Sequence, residues 1–364
     1  MILNLFIYIY TFKDKGEDKL KKSIVISIAI YIISIFISIF TKTSSSTYIE
    51  GMGYKGWFES GNSIGSILIL SMFIYIGLVK DKKLKFFVIP LIILVGIYLT
   101  TLLGTRVGLF GFILVLMCYI FVEILYKLIH KGKINKKVVA GCIASIAIVL
   151  LVIITIGSTT LQRRKHLESI EGNIQDEETM EEAHVTGSIL EIKEKIEDGT
   201  LEEGYMSEPE KKSILELYDI CNNLKVTNND QRTQQLIYNV LLVKNGANLA
   251  SILFGNGYLN NFRELVLEME IPAFLLNFGI IGFILFFIPF LSIFIYSIYI
   301  GFKNIKKIDE EYMMLCLGAG CVFALSFFAG YTFFNSSTMM IIITINTLLI
   351  NKILKLKRST KWKK

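Results

Sequence analysis

Glu268-Met269-Glu270-Ile271-Pro272-Ala273-Phe274-Leu275-Leu276-Asn277-Phe278-Gly279-Ile280-Ile281-Gly282 is the stretch on which the reading of this chain turns. After Glu270 no charge appears until residue 303, whereas the preceding segment, 158–270, is a polar loop of roughly a hundred residues, far longer than an ordinary connection. A run of that length and composition suits a lipid interior, and a loop of that size suits water. The loop that ends at this boundary is where the function is expected.

Working outward, further uncharged runs cover 24–40, 64–79, 86–103, 107–122, 138–157, 313–334 and 336–351. Each is about long enough to cross a hydrocarbon core of ~30 Å as a helix. With 53% hydrophobic residues and only four prolines in 364, the expected fold is an all-α polytopic integral membrane protein. We expect about eight to nine transmembrane helices and one large extracytoplasmic loop. Residues 1–12 are apolar but reach only ~18 Å as a helix, and they lack the basic start and cleavage site of a signal peptide. Either they form a tilted or partial span, or the chain starts inside a longer reading frame.

The net charge of +7 does not point to nucleic acid, because the basic residues sit in short turns between spans. Lys13 to Lys22, Lys80 to Lys85, Lys127 to Lys137, Lys303 to Lys307 and the tail from Lys352 to Lys364 all fall on one side of the alternating runs. The positive-inside rule places that side, including the C-terminal tail, in the cytoplasm. The loop at 41–62, the Gly104-Thr105 turn and the long loop then face outward across the cell membrane. Three parts result: N-terminal transmembrane helices in 1–157, the extracytoplasmic loop in 158–270, and C-terminal transmembrane helices with a basic tail in 271–364. Four of the five cysteines lie within runs and Cys221 stands alone in the loop, so neither a disulfide nor a metal site is expected.

The loop changes character midway. Residues 168–216 are acidic and broken by Gly172, Gly187, Gly199 and Gly204, with Ile189, Ile192, Ile196 and Leu201 forming a weak helical stripe. A solvated helical cap or a semi-ordered insertion both fit. From Asp230 a second, more amphipathic helix is expected through Leu236, Val240 and Val243 to Asn245-Gly246.

The outward elements come in a fixed order: Gly56-Trp57-Phe58-Glu59-Ser60-Gly61-Asn62, Leu103-Gly104-Thr105-Arg106, Arg232 opening a helix, the turn Phe254-Gly255-Asn256-Gly257-Tyr258, and Glu268-Met269-Glu270 before Gly279 and Gly282. In that order and sidedness the chain, from about Gly56 to the last run, resembles the O-antigen ligase/polymerase superfamily, in its Gram-positive polysaccharide-polymerase form. The acidic half-loop lies outside the resemblance.

The resemblance implies a GT-C-like, metal-independent inverting glycosyltransferase that moves a growing glycan from a polyprenyl-pyrophosphate carrier onto a sugar hydroxyl. It implies donor and acceptor glycans on such carriers, the lipid bilayer and a possible chain-length regulator as partners, with no soluble cofactor. The product is a capsule, exopolysaccharide or O-antigen-like polymer. Arg106 and Arg232 match arginines of the family pattern and are assigned to the diphosphate, which a planar guanidinium holds well. Snorkelling to lipid phosphates would equally explain Arg106, and a solvated helix-end charge Arg232.

Glu268 and Glu270 are the candidate bases, set where partial desolvation raises a carboxylate toward its working range. The ligase branch has a histidine where this sequence has Glu268, a departure that favours the polymerase branch over ligation to lipid, protein or wall. Asn256 and Tyr258 are assigned to a sugar, although a tight turn accounts for the neighbouring glycines equally well. Asn62 is assigned to the carrier, since an amide near lipid needs a partner. Trp57 fits either the carrier or an interfacial anchor. A transporter or flippase for the same lipids is the rival from another class; such folds show internal repeats and midplane charges, and no repeat is seen here.

Overall fold

The computed structural model describes residues 2–12, 16–48, 52–78, 85–155, 159–162, 165, 187–226, 230–246, 248–257 and 265–361. The chain divides into two compact units, Met1–Lys165 with Phe290–Lys364, and His166–Pro289. The first is a helical bundle of α1 (Ile2–Thr11), α2 (Glu17–Phe40), α3 (Gly61–Leu78), α4 (Lys85–Ile97), α5 (Arg106–Ile129) and α6 (Lys136–Thr155). Later in the chain come α12 (Ile288–Lys303), α13 (Glu310–Phe328) and α14 (Ser336–Lys361).

Among the described residues, four helices are long and apolar enough to cross a membrane: α2, α5, α13 and residues 336–358 of α14. A fifth candidate is a broken span that joins α12 to the helix before it, and four shorter apolar helices of 10–17 residues accompany them. The fold is therefore that of a mostly helical membrane protein, with one short hairpin among the described residues. The runs at 64–79, 86–103 and 138–157, each expected to cross, form helices in this shorter class.

At the centre of the bundle α3 packs against α5, α13 and α14. Ile64, Ile67, Leu68, Ile69, Leu70, Met72 and Phe73 are all at most 1% exposed, so α3 is covered on every side, as a helix apolar all round must be. By contrast α2 leaves Ile26, Ile30, Ile33 and Ile37 open on one side, the lipid-facing side of a peripheral span. Lipid tails are as apolar as these side chains, so dispersion and close approach hold the bundle rather than exclusion of water. Small residues permit that approach: Gly111 sits directly against Ile69, and a Cβ on Gly318 would lie 3.0 Å from Cβ of Phe73.

One end of the bundle carries a network of charges. Lys21 bonds Glu17 at 2.7 Å and pairs with Glu311, while Lys352 bridges Asp309 at 2.6 Å and Glu311 at 2.7 Å. Lys355 bonds Glu17 at 2.6 Å, and Lys127 lies 3.8 Å from Glu310. These pairs tie α2, α5, α13 and α14 together.

At the other end of α5 the chain is braced by backbone contacts. A two-stranded hairpin, β1 (Ser45–Ser46) against β2 (Tyr54–Gly56), is antiparallel. Thr47 Oγ1 donates to the Leu103 carbonyl at 2.8 Å, and Tyr98 Oη donates to the Tyr54 carbonyl at 2.9 Å. Tyr98–Leu102 forms a single π-helical turn that ends α4 just before Gly104. Such a turn widens the helix and re-aims the chain leaving it.

The second unit contains α7 (Gly187–Glu197), α8 (Glu208–Leu224), α9 (Gln231–Gly246), α10 (Leu249–Phe254) and α11 (Glu270–Phe286). The described part of the acidic half-loop, 187–216, is largely helical, in α7 and the first half of α8. Ser207 and Glu210 start α8 with a capping box, and Lys225 ends it in the left-handed conformation. Ile189, Met206, Ile214, Leu217, Cys221, Val226, Tyr238, Leu241 and Leu265 form a core, with Ile192, Ile196 and Leu201 packed on it. Here water is the reference solvent, so each buried Leu or Ile contributes on the order of 1.5–3 kcal/mol. Burial pushes the Cys221 thiol up to about 11, and nearby Asp230 adds to the effect. That sulfur is a small apolar core atom rather than a nucleophile.

Candidate functional site

The helix carrying Arg232 begins because Asp230 caps it, accepting from the Thr233 amide at 3.3 Å and from its hydroxyl at 2.7 Å. Arg232 therefore sits in the first turn of α9, at the positive end of the helix dipole. Its Nε donates to Oε2 of Glu268 at 3.3 Å, with the two side chains 37% and 32% exposed. The pair is half-covered and reachable from solvent, as a group that meets a substrate must be.

Glu268 is held there by α9 itself. Its amide donates to Oε1 of Gln235 at 3.1 Å. One turn along, Nδ2 of Asn239 donates to the Leu265 carbonyl at 3.0 Å and to the Gln235 carbonyl at 2.8 Å. Gln235 and Asn239 are each 3% exposed. Two buried amides thus fix the segment 265–268 in register along α9 and bring Glu268 to Arg232.

Sequence reasoning missed this face. The expected stripe was Leu236, Val240 and Val243, but Val240 is 49% exposed and the buried positions are Gln234, Gln235, Tyr238, Asn239, Leu241 and Leu242. The 3.6-residue period is right and the phase is wrong, because apolarity marks burial only where the partner offers no backbone to bind. The available signal was the amide pair Gln235 and Asn239 at i, i+4.

Glu270 is the first residue of α11 and is fully buried. A carboxylate there complements the helix dipole. The turn after α10 and Gly279 of α11 prove to be one joint. Gly279 adopts φ +66° and breaks α11 in its middle. The Asn256 amide then donates to the Leu276 carbonyl at 3.0 Å and the Gly257 amide to the Asn277 carbonyl at 2.9 Å. A Cβ on Gly255, itself at φ +80°, would collide with the Asn277 carbonyl, and one on Gly279 with the Leu253 carbonyl. The glycines serve close backbone approach. Tyr258 lies outside the described residues.

Arg106 and Asn62 belong to the bundle. Arg106 opens α5 directly after the cap Thr105, whose hydroxyl accepts from the Gly108 amide at 3.0 Å. It is exposed, with no hydrogen-bond or ion-pair partner among the described residues. A cation at a helix N-terminus opposes the dipole, and an anion bound by both would remove that conflict.

A family model for O-antigen ligase-like membrane proteins matches residues 1–356. The chain belongs to that family. No curated protein and no solved structure matches it. Membership points to a glycosyl-transferring, glycan-processing enzyme located in a membrane.

Within this family member, Asn62 has a structural partner: its Nδ2 donates to the carbonyl of Ala329, the C-cap of α13, at 2.9 Å. That bond satisfies one of the carbonyls a helix end leaves open. Trp57 is 59% exposed with its indole N–H on Thr43 Oγ1 at 3.0 Å, an amphipathic anchor. A cavity of about 550 Å³ opens beside Lys307, Asp309, Lys352 and Lys355, at the end of α5 opposite Arg106. Lys352 and Lys355 in its wall are bonded to carboxylates.

Proposed function

We propose that this chain polymerises polyprenyl-pyrophosphate-linked oligosaccharide repeat units into a surface polysaccharide, on the outer side of the cytoplasmic membrane. The observation that carries this reading is the half-covered Arg232–Glu268 pair, set on a folded loop and fixed in register by Gln235 and Asn239. The acceptor hydroxyl attacks the anomeric carbon of the donor glycan, and its proton passes to a carboxylate. The bond from that carbon to the pyrophosphate oxygen breaks, the electron pair leaves with the carrier, and configuration inverts.

Arg232 neutralises the diphosphate as charge builds on it, an electrostatic contribution worth on the order of 10²–10³ in rate for a single donor, and Arg106 serves to capture the anionic donor. Of the two glutamates, Glu268 is the one a substrate can reach, because Glu270 is fully buried at the start of α11. We assign the base to Glu268 and a helix-start role to Glu270. Asn256 borders the Gly255–Gly257 joint with its side chain half-buried, and contact with a sugar is part of the same proposal.

Transfer of a finished glycan to lipid, protein or wall is the second reading, equally compatible with the family match. Glutamate rather than histidine at position 268 favours polymerisation. The test is laddering: purified chain in liposomes with the host's lipid-linked repeat unit, products resolved on a gel beside Arg232→Ala. A ladder lost in the variant supports the proposal. A single transferred product without a ladder turns the assignment to ligation, and neither product from folded protein overturns both.

A further inference from the structure

The segment after α9 has an apolar surface that the proposed reaction does not use. No charge occurs between Lys244 and Arg263. Within this stretch α10 presents Leu249 and Phe254 at 74% and 64% exposed, with Ile252 at 44%, and α11 adds Leu275 at 46%. Large apolar groups left open on adjoining helices mark a surface that meets something other than water.

The polar groups of this segment are closed on themselves. Asn248 Oδ1 accepts from the Ser251 amide at 2.7 Å, and Ser251 Oγ donates to the Asn248 carbonyl at 2.9 Å. At the tip, the amides of Gly255, Asn256 and Gly257 bond the carbonyls of Ser251, Leu276 and Asn277. Irregular backbone with every such donor satisfied by protein is what hydrocarbon demands and water does not.

Sequence supplies an independent argument. No charge occurs between Glu270 and Lys303, so the uncharged run begins with the first turn of α11. α11 is itself broken at Gly279, and it meets α12 at a 45° bend, as in a broken span or a re-entrant loop. Its first half, with α10 hydrogen-bonded to it, is thereby apolar enough to lie at the edge of a leaflet.

We propose that α10 and the first half of α11 form a membrane-seated surface, with Leu249, Ile252, Phe254 and Leu275 inserted among the acyl chains of that leaflet. The occupant is bilayer lipid. Such a seat holds the loop unit at the depth where a lipid-borne headgroup emerges, and it stands whichever transfer reaction the site performs.

The experiment places one tryptophan on the surface: Phe254→Trp in full-length chain carrying Trp57→Phe and Trp362→Phe, reconstituted in phospholipid vesicles. Ile252→Trp serves as a second reporter should the first not fold. Leu224→Trp, on α8 at a site 65% exposed, is the water-side control. Blue-shifted emission, quenching by acyl-chain-brominated lipid severalfold above the control, and protection from iodide are expected. Iodide quenching equal to the control without bromolipid quenching overturns the proposal. A blue shift that vanishes when protein is diluted with excess lipid also overturns it, assigning the face to a second copy of the chain.

Discussion

Two arginines stand at helix N-termini in different regions of this molecule, and their settings differ. Arg106 opens α5 in the bundle, exposed and without a described partner. Arg232 opens α9 in the loop unit, already paired with Glu268. A partnered guanidinium has lost rotamer freedom before substrate arrives, whereas an exposed one loses it on binding. The paired arginine is therefore suited to act where geometry matters at the moment of reaction, and the open one to capture.

The largest expected effect tests that division. Arg232→Ala should lower glycan transfer by about 10²–10³ at saturating substrate, read as kcat in reconstituted vesicles. A fall confined to KM would make it a second capture residue and erase the contrast. Glu268→Gln keeps the shape and removes the group that takes up the hydroxyl proton. General-base loss predicts a fall on the order of 10² or more in kcat. A fall below about tenfold would reduce Glu268 to an orienting partner of Arg232.

Arg106→Ala should raise KM for the lipid-linked donor about tenfold or more, as loss of a charge-assisted bond implies, with kcat nearly kept. Donor titration on the same vesicles checks it. A drop in kcat matching that of Arg232→Ala would show the two arginines acting as one group.

Gln235→Leu should leave the Glu268 amide unsatisfied, costing on the order of 1–3 kcal/mol locally and lowering kcat more than it raises KM. Gln235→Glu, which retains the accepting oxygen, should restore part of kcat. Equal losses in both variants would point to general damage of the core. The smallest effect is a control at the opposite end of the bundle from Arg106. Burial alone would raise the Asp309 carboxyl, but the charge and hydrogen bond of Lys352 prevail and hold it below the ordinary aspartate range. Its folded pKa lies below the unfolded value, so it stabilises the bundle above about pH 3.9 and this contribution is lost as pH falls through the folded value. Asp309→Asn should flatten the acid limb of a melting-temperature profile without altering transfer at neutral pH.

Much of this was legible beforehand. Uncharged runs separated by lysine-rich turns identify a helical membrane protein, since few arrangements put such residues in water. The order of the outward motifs gives the family. The joint at Gly255 and Gly279 was half-legible: each motif read as glycine-rich, yet nothing in the chain links position 256 to position 276. The acidic half-loop was open between a solvated helical cap and a semi-ordered insertion, because Ile189, Ile214 and Leu217 become a core only when α7 and α8 meet α9.

Composition, solvent preference and periodicity are written in the chain, and they suffice to make these segments helices and to assign most of them to lipid. Those are local quantities, set by side-chain transfer free energies and the backbone repeat. Which helix lies at the centre, and which face of α9 is inside, was settled only by the packing of distant segments. The same packing brings Glu268 rather than Glu270 to Arg232. An all-round apolar helix such as α3 carries no mark of its neighbours, and a buried amide is tolerated only where a distant carbonyl or amide arrives to bond it.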